Sequence, residues 1–139
     1  ARFVTPPVFA EDSGLAVRAL DGRPGTRSAR FGEPGMDDAG RCAQVLRELE
    51  GVADRAAQFV ACIALMTPDG ELRVFEGVAD GSIAVSPAGG AGFGYDPVFI
   101  PVGDSRTFGA MTQEEKNALS HRRRALEALI GFLSESPDL

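Results

Sequence analysis

The amino-acid sequence predicts an α/β fold with a mixed central sheet flanked by helices. Short apolar runs typical of strands alternate with stretches whose apolar residues recur at helical spacing. Two of the apolar runs are joined by a tight turn at residues 67–70, which predicts an antiparallel hairpin. A length of 139 residues fits one domain with a hydrophobic core, so residues 1–139 are taken as a single domain.

The first predicted elements are a strand, a loop and a helix. Residues 8–10 are predicted as a short buried strand that runs into an acidic turn at residues 11–14. Residues 20–32 are rich in glycine and arginine and are predicted as a loop. Residues 36–50 are predicted as a helix, because aspartates near the start can cap it, apolar residues follow at helical spacing and a glycine ends it.

Further strands are predicted in the middle of the chain. Residues 57–66 are apolar on both alternating faces, which is typical of a central strand covered on both sides. Residues 71–78 form the second arm of the hairpin, and residues 82–85 are predicted as another short strand. A glycine-rich loop then leads into a strand at residues 98–100.

The C-terminal third is predicted to be helical. Thr112 and Glu115 have the spacing of a capping box, and Ser120 provides a cap for a second helical segment. That segment is predicted to carry one apolar face, formed by Ala125, Leu126, Leu129, Ile130 and Leu133.

The composition limits the partners and the location that we expect. A net charge of −6 argues against sequence-blind nucleic-acid binding, but not against a phosphorylated ligand bound through a metal. No apolar run approaches the length of a membrane span. Cys42 and Cys62 form neither a CxxC pair nor a zinc set with the single histidine, which favours packing roles in a reducing cytoplasm. We therefore expect no nucleic-acid partner, no membrane partner and a cytoplasmic protein.

The adjacent carboxylates of Glu11 and Asp12 have two interpretations. In one, they begin a solvated turn. In the other, a cation holds the two repelling acids ionised, since Mg²⁺ takes one or two carboxylates together with substrate phosphates. A carboxylate would then accept a proton from an attacking water, and Ser13 would lie close enough to contact a ligand. This stretch alone leaves both interpretations open.

The glycine-rich stretch GGAGFGYDP at residues 89–97 is the second candidate site. It does not match a dinucleotide or P-loop motif, because it leads into a strand and lacks Gly-Lys-Ser/Thr. Phe93 and Tyr95 offer aromatic faces on which a nucleobase can stack, with Asp96 beside them. The alternative is that both aromatics are core residues under a tight turn.

A cationic stretch near the C-terminus is the third candidate. Lys116 lies in the capped helix, and His121 is the only histidine. One interpretation is that Lys116, His121 and Arg122 donate hydrogen bonds to carbonyl or phosphate oxygens of a ligand. The other is that the arginine run at residues 122–124 is an exposed helix face and that the histidine is structural or solvated.

The three candidate stretches, read as FAEDSGL, GFGYDPVFIP and EEKNALSHR, occur in a fixed order with compatible spacing. In this respect the chain resembles the inosine triphosphate pyrophosphatase family, also called XTP/dITP diphosphatases. The resemblance runs from residue 10 to about residue 133 and includes PGTRSARF and the central hairpin.

The resemblance implies a fold and a reaction. The implied fold is an elongated α/β sheet in two lobes with a cleft between them, usually assembled as a homodimer. The implied reaction is Mg²⁺-dependent hydrolysis of ITP, dITP and XTP to the monophosphate and pyrophosphate, which removes deaminated purines from the nucleotide pool.

The resemblance also implies roles for single residues. Asp12 would be the proton acceptor and, with Glu11, a magnesium ligand; Glu11 stands where relatives usually have Asp. Phe93 would provide the stacking face. The implied substrate contacts are Ser13, Phe93, Gly94, Tyr95, Asp96, Lys116, His121 and Arg122.

The sequence departs from the family pattern in two places. Relatives begin with a Ser/Thr-x-Asn-x-x-Lys loop that cradles the triphosphate and a helix with a metal-binding Glu, and we expect this N-terminal part to be missing. The chain opens at Ala1-Arg2 as if cut after the family's Lys-Ala-Arg run. The alternative expectation is thus a truncated, catalytically inactive fragment that still binds nucleotides, because positioning supplies much of phosphoryl-transfer catalysis. Arg123, where relatives often have Gly, adds charge near the base pocket.

Overall fold

A four-stranded antiparallel sheet forms the centre of the computed structural model, which describes residues 6–137. The spatial order of the strands equals their order in the chain. The strands are β1 (Val8–Val17), β2 (Ala56–Met66), β3 (Leu72–Ile83) and β4 (Phe99–Pro101). The predicted α/β class is confirmed. The described strands are antiparallel throughout, where a mixed sheet was expected, because each strand pairs with its neighbour in the sequence.

Within the described residues, three α-helices accompany the sheet: α1 (Asp38–Glu48), α2 (Gln113–Leu119) and α3 (His121–Glu135). All three begin at caps that the sequence predicted. The Asp37 carboxylate accepts the Gly40 amide, Thr112 and Glu115 form a reciprocal capping box, and the Ser120 hydroxyl caps α3. No helix formed by residues 6–137 is long and apolar enough to cross a membrane.

The prediction for β1 was wrong in two respects. The acidic residues 11–14 lie within the strand and not in a turn, because β1 pairs with β2 without interruption from Val8–Met66 to Val17–Ala57. Backbone pairing over ten residues outweighs the turn preference of Asp, Ser and Gly. The residues predicted as buried are also exposed: Val8 is 60% and Phe9 62% accessible.

Smaller corrections concern the loops and strand limits. The predicted loop at residues 20–32 contains a 3₁₀ segment, Gly25–Arg30. The separate strand predicted at residues 82–85 is the end of β3, since the β2–β3 pairing extends to Ser82. A 3₁₀ turn, Asp96–Val98, precedes β4. Ala1 and Arg2, on which the expected cut falls, lie outside the described residues.

The core lies mainly on one face of the sheet, in two clusters. Leu15, Phe59 and Val45 belong to the first cluster, which joins α1 and β4 to the sheet. In the second cluster, Ala125 and Leu129 of α3 pack on β2. Other members of the predicted α3 face, Leu126, Ile130 and Leu133, are exposed. The second face of β2 is only half-buried, so the prediction of a strand covered on both sides holds for one side.

Candidate functional site

A cleft of about 870 Å³ opens between β1, the glycine-rich loop and the helices α2 and α3. Every site residue predicted from the sequence lines this cleft: Glu11, Asp12, Ser13, Phe93, Gly94, Tyr95, Asp96, Lys116, His121 and Arg122. Residues separated by more than 100 positions therefore meet, because the α3 N-terminus lies opposite β1. We call residues 11–13 the β1 wall, and residues 92–96 with Lys116 the loop wall.

On the β1 wall, Glu11 is tied to α3. Its Oε1 accepts hydrogen bonds from Ser13 Oγ (2.5 Å) and Arg122 Nε (3.0 Å). Partial burial raises the pKa of Glu11, but the hydrogen bonds from Ser13 and Arg122 and the positive charge of Arg122 together lower it below its ordinary value. Glu11 is therefore ionised at neutral pH and bridges the cleft.

Asp12 differs from Glu11 although the two are adjacent. Successive side chains of a strand point to opposite faces, and Glu11 aligns with Ile63 whereas Asp12 aligns with Cys62. The Asp12 carboxylate accepts the Ser13 amide at 3.0 Å and has no ion-pair partner among residues 6–137. It is thus available to a proton or a cation.

On the loop wall, the two aromatics have different environments. Phe93 is 57% exposed, with Lys116 Nζ at 4.6 Å and Arg122 Cζ at 4.9 Å from its ring centroid. Tyr95 is 4% exposed, and its hydroxyl donates to the Ser28 carbonyl oxygen at 2.7 Å. The core interpretation therefore holds for Tyr95, while Phe93 presents a ring to the cleft.

Helix α1 holds the loop wall from behind. The Gly94 amide donates to Asp38 Oδ2 at 2.8 Å, and the Cys42 thiol donates to the Gly94 carbonyl oxygen at 3.4 Å. Burial raises the pKa of Cys42 to about 11, so the thiol keeps its proton. Sequence reasoning treated Asp38 only as a possible helix cap, and no local pattern indicates a contact that spans 56 positions.

Lys116 and Asp96 form a buried ion pair with Nζ and Oδ2 2.5 Å apart. The same oxygen accepts the Phe93 amide at 3.0 Å. Asp96 is 3% exposed. The interpretation as an exposed helix face holds for Arg123 and Arg124, whereas Lys116 is buried.

His121 is buried and stacks on Phe59 at a centroid distance of 4.8 Å. Burial, assisted by the charges of Arg122 and Lys116 and opposed by that of Glu11, lowers the pKa of His121 to about 4. The imidazole is therefore neutral at pH 7. Its Nδ1 has no hydrogen-bond partner within the described part of the chain.

Arg123 also lines the cleft, as expected, and its Nε lies 2.7 Å from Glu127 Oε1. Beyond it, α3 contributes lining residues that the motifs did not indicate, namely Leu126, Glu127 and Ile130. These residues extend one wall of the cleft past the motif residues.

The β1 wall offers two carboxylates, Glu11 and Asp12, as donors for a metal ion. Within residues 6–137 no group of three or more His, Cys, Asp or Glu side chains could hold an ion. Glu11 is already paired with Arg122, whereas Asp12 is free of cationic partners in the same part of the chain. Such carboxylates fit Mg²⁺ that keeps several waters and completes its shell with phosphate oxygens.

The site and the fold define a class of protein: an α/β domain with a cleft in which an exposed aromatic ring lies beside cationic and acidic side chains. The sequence matches the Ham1 family model over residues 1–132, and the chain belongs to the Ham1 family. This confirms the resemblance drawn from the motifs.

Among curated relatives, the dITP/XTP pyrophosphatase of Gluconobacter oxydans is 48% identical over 124 residues, covering 89% of this chain and 60% of the relative. That of Mycobacteroides abscessus is 52% identical over 126 residues, covering 89% and 61%. The chain thus spans about 60% of the length of these relatives.

Solved structures of Ham1 proteins have the same fold as this chain. The Ham1 protein of Staphylococcus aureus has a TM-score of 0.92 and 40% identity, with 98% of this chain and 71% of that chain covered. A HAM1 protein from Coxiella burnetii has a TM-score of 0.88 and 42% identity, with 94% and 68% covered.

Proposed function

We propose that this chain carries the purine-binding and hydrolytic site of an enzyme that converts ITP, dITP and XTP to the monophosphate and pyrophosphate. The observation that carries the proposal is the exposed Phe93 ring, flanked by the cations of Lys116 and Arg122, in a cleft whose lining includes Glu11 and Asp12. The names of the related dITP/XTP pyrophosphatases support it.

The loop wall supports recognition of a deaminated purine. A nucleobase stacks on the exposed Phe93 face. Hypoxanthine and xanthine present a carbonyl oxygen at C6, where adenine presents an amino group. Lys116 and Arg122 carry only donors, so they pair with the carbonyl and leave an amino group without a partner, which strongly disfavours adenine.

The β1 wall supports the chemistry at the phosphates. Asp12 accepts a proton from the attacking water, because its carboxylate lacks a cationic partner among the described residues. When bound at Asp12 and Glu11, Mg²⁺ would neutralise charge on the phosphate oxygens. Glu11 would then bind the ion in place of Arg122, which would leave Arg122 free to contact the substrate.

We also propose that the protein is a homodimer and cytoplasmic, as the family resemblance implies. Light scattering of the purified protein measures the assembly. A monomeric mass over the working concentration range would overturn the dimer.

The test is pyrophosphate release by the 139-residue chain with and without Mg²⁺, using ITP, dITP and XTP against ATP and GTP. We expect Mg²⁺-dependent release from the first three nucleotides, and a loss of about 100-fold or more in Asp12→Asn. Asp80→Asn is the matched control, since Asp80 lies on β3 outside the cleft and pairs with Gln58.

Equal release from ATP would contradict the proposed specificity. Binding of IMP without any release would contradict hydrolysis by this chain, and would support the alternative of an inactive nucleotide-binding fragment.

A further inference from the structure

Lys116 is the only lysine of the chain, whereas arginine supplies every other basic side chain apart from the single histidine. It is also buried, in a sequence whose arginines are largely exposed. A lysine differs from an arginine in carrying a compact charge with three donor hydrogens. This position therefore places a compact ammonium group beside the buried carboxylate of Asp96.

The Asp96 carboxylate fixes the position of that ammonium. Its Oδ2 accepts both from Lys116 Nζ at 2.5 Å and from the Phe93 amide at 3.0 Å. One oxygen atom thus sets the cation and the aromatic ring relative to each other, and Lys116 Nζ lies 4.6 Å from the Phe93 centroid. The bond to Asp96 leaves two donor hydrogens on Nζ for a ligand.

The backbone closes tightly over the carboxylate. Gly92 has a φ of 76°, and a Cβ at this position would overlap Asp96 Oδ2. With 3% of its surface accessible, Asp96 has little area left for contact with a ligand. Its hydrogen bonds are made to protein groups that themselves face the cleft.

We infer that Asp96 is a positioning residue that acts through Lys116 and does not touch the purine. This differs from the substrate contact that the family resemblance implied for Asp96, and it rests on the proposed function. The buried charge pair holds the ammonium where it meets the base carbonyl, so Asp96 controls the preference for oxo-purines over adenine.

The test is a double-mutant cycle of Asp96→Asn and Lys116→Met, read out as kcat and KM for ITP and ATP. In Asp96→Asn, we expect KM for ITP to rise and the ITP:ATP preference to fall by about tenfold each, with kcat changed by less than about threefold. In the Lys116→Met background, the same substitution changes neither quantity by more than about twofold. Asp104→Asn is the control, because Asp104 pairs with Arg106 outside the cleft and should leave all values unchanged.

The double-mutant cycle remains informative if Asp96→Asn alone fails to fold. Asp96→Asn alone leaves a buried ammonium unpaired, whereas the double variant removes both charges together. If only Lys116→Met and the double variant fold, equal KM and preference in the two support the inference. A further tenfold loss in the double variant would overturn it, since Asp96 would then act independently of Lys116.

A crystal structure of the unsubstituted protein with IMP gives an independent result. We expect Lys116 Nζ within hydrogen-bond distance of the base oxygen and no base atom within that distance of Asp96. A direct hydrogen bond from the base to Asp96 would overturn the inference while leaving the proposed function intact. Failure of the unsubstituted protein to bind IMP or hydrolyse ITP would instead overturn both.

Discussion

The two walls of the cleft differ in how firmly their polar groups are held. The loop wall is built from buried contacts: Asp96 pairs with Lys116, and the backbone of Gly94 is bound by side chains of α1. On the β1 wall, Glu11 makes a half-exposed pair with Arg122, and Asp12 is exposed. A rigid aromatic ring is recognised well by a preorganised surface, whereas a metal and a flexible phosphate chain require groups that can exchange partners.

The largest expected change in the free energy of unfolding comes from the residues that precede the loop wall. Gly89 begins the glycine-rich loop with a φ of 78°, and a Cβ there would overlap the backbone of Gly109. We expect Gly89→Ala to lower the free energy of unfolding by about 3 kcal/mol, because it adds both backbone strain and a clash with another backbone segment. Urea unfolding measures this.

Gly90 offers a matched control for Gly89. A Cβ at Gly90 meets no atom within 4 Å, and its φ lies outside the left-handed region. Gly90→Ala should therefore change the unfolding free energy by less than about 0.5 kcal/mol. Equal effects of the two substitutions would show that the close approach of residue 89 to the Gly109 backbone does not limit the stability of the protein.

The second prediction separates binding from stability within the loop wall. Phe93→Ala should weaken IMP binding by about 1–3 kcal/mol in calorimetry with little change in stability, because the ring is exposed and acts as a stacking surface. Tyr95→Phe should lower the unfolding free energy by about 1 kcal/mol, because the Ser28 carbonyl oxygen loses its buried donor. The reverse pattern would mean that Tyr95, and not Phe93, receives the base.

The third prediction concerns pH and His121. The folded-state pKa of about 4 lies below the ordinary value of 6.5, so between these values the unfolded chain binds a proton that the folded protein does not. Stability is therefore lost as the pH falls, by about 1 kcal/mol from pH 7.5 to 5.5. His121→Gln should remove this dependence. A single histidine makes the NMR titration unambiguous, and a folded-state pKa near 6.5 would contradict the prediction.

The sequence predicted the helices, and the residues that line the cleft, better than the strands. Capping residues such as Thr112 and Glu115 act over one helical turn, so their effect is visible locally. The length of β1 depends on its partner β2, whose paired residues lie 40 to 58 positions further along the chain, and the composition of residues 11–14 indicates a turn. Pairing with β2 keeps residues 11–14 in the strand despite this composition.

The same limit applies inside the site. Motif order identified Phe93 and Tyr95 together, but only packing separates the exposed ring from the buried one. Likewise, the hydrogen bond from Gly94 to Asp38 and the ion pair of Asp96 with Lys116 do not follow from the spacing of these residues in the sequence. Each depends on how a loop approaches a helix. Sequence patterns identified which residues meet, but not which of them are exposed in the cleft.

The smallest expected change in the free energy of unfolding is on the β1 wall. In Glu11→Gln we expect the free energy of unfolding to change by less than about 0.5 kcal/mol, because the Glu11–Arg122 pair is partly exposed to water and such pairs contribute little. The amide oxygen of Gln still accepts from Arg122. Urea unfolding at low and at high salt provides the measurement, with Glu71→Gln as the control, because it removes the same charge from the exposed Glu71–Arg73 pair. A loss above about 2 kcal/mol would show that the β1 wall is held as firmly as the loop wall, and Arg122 would then not be free to leave Glu11 for a substrate.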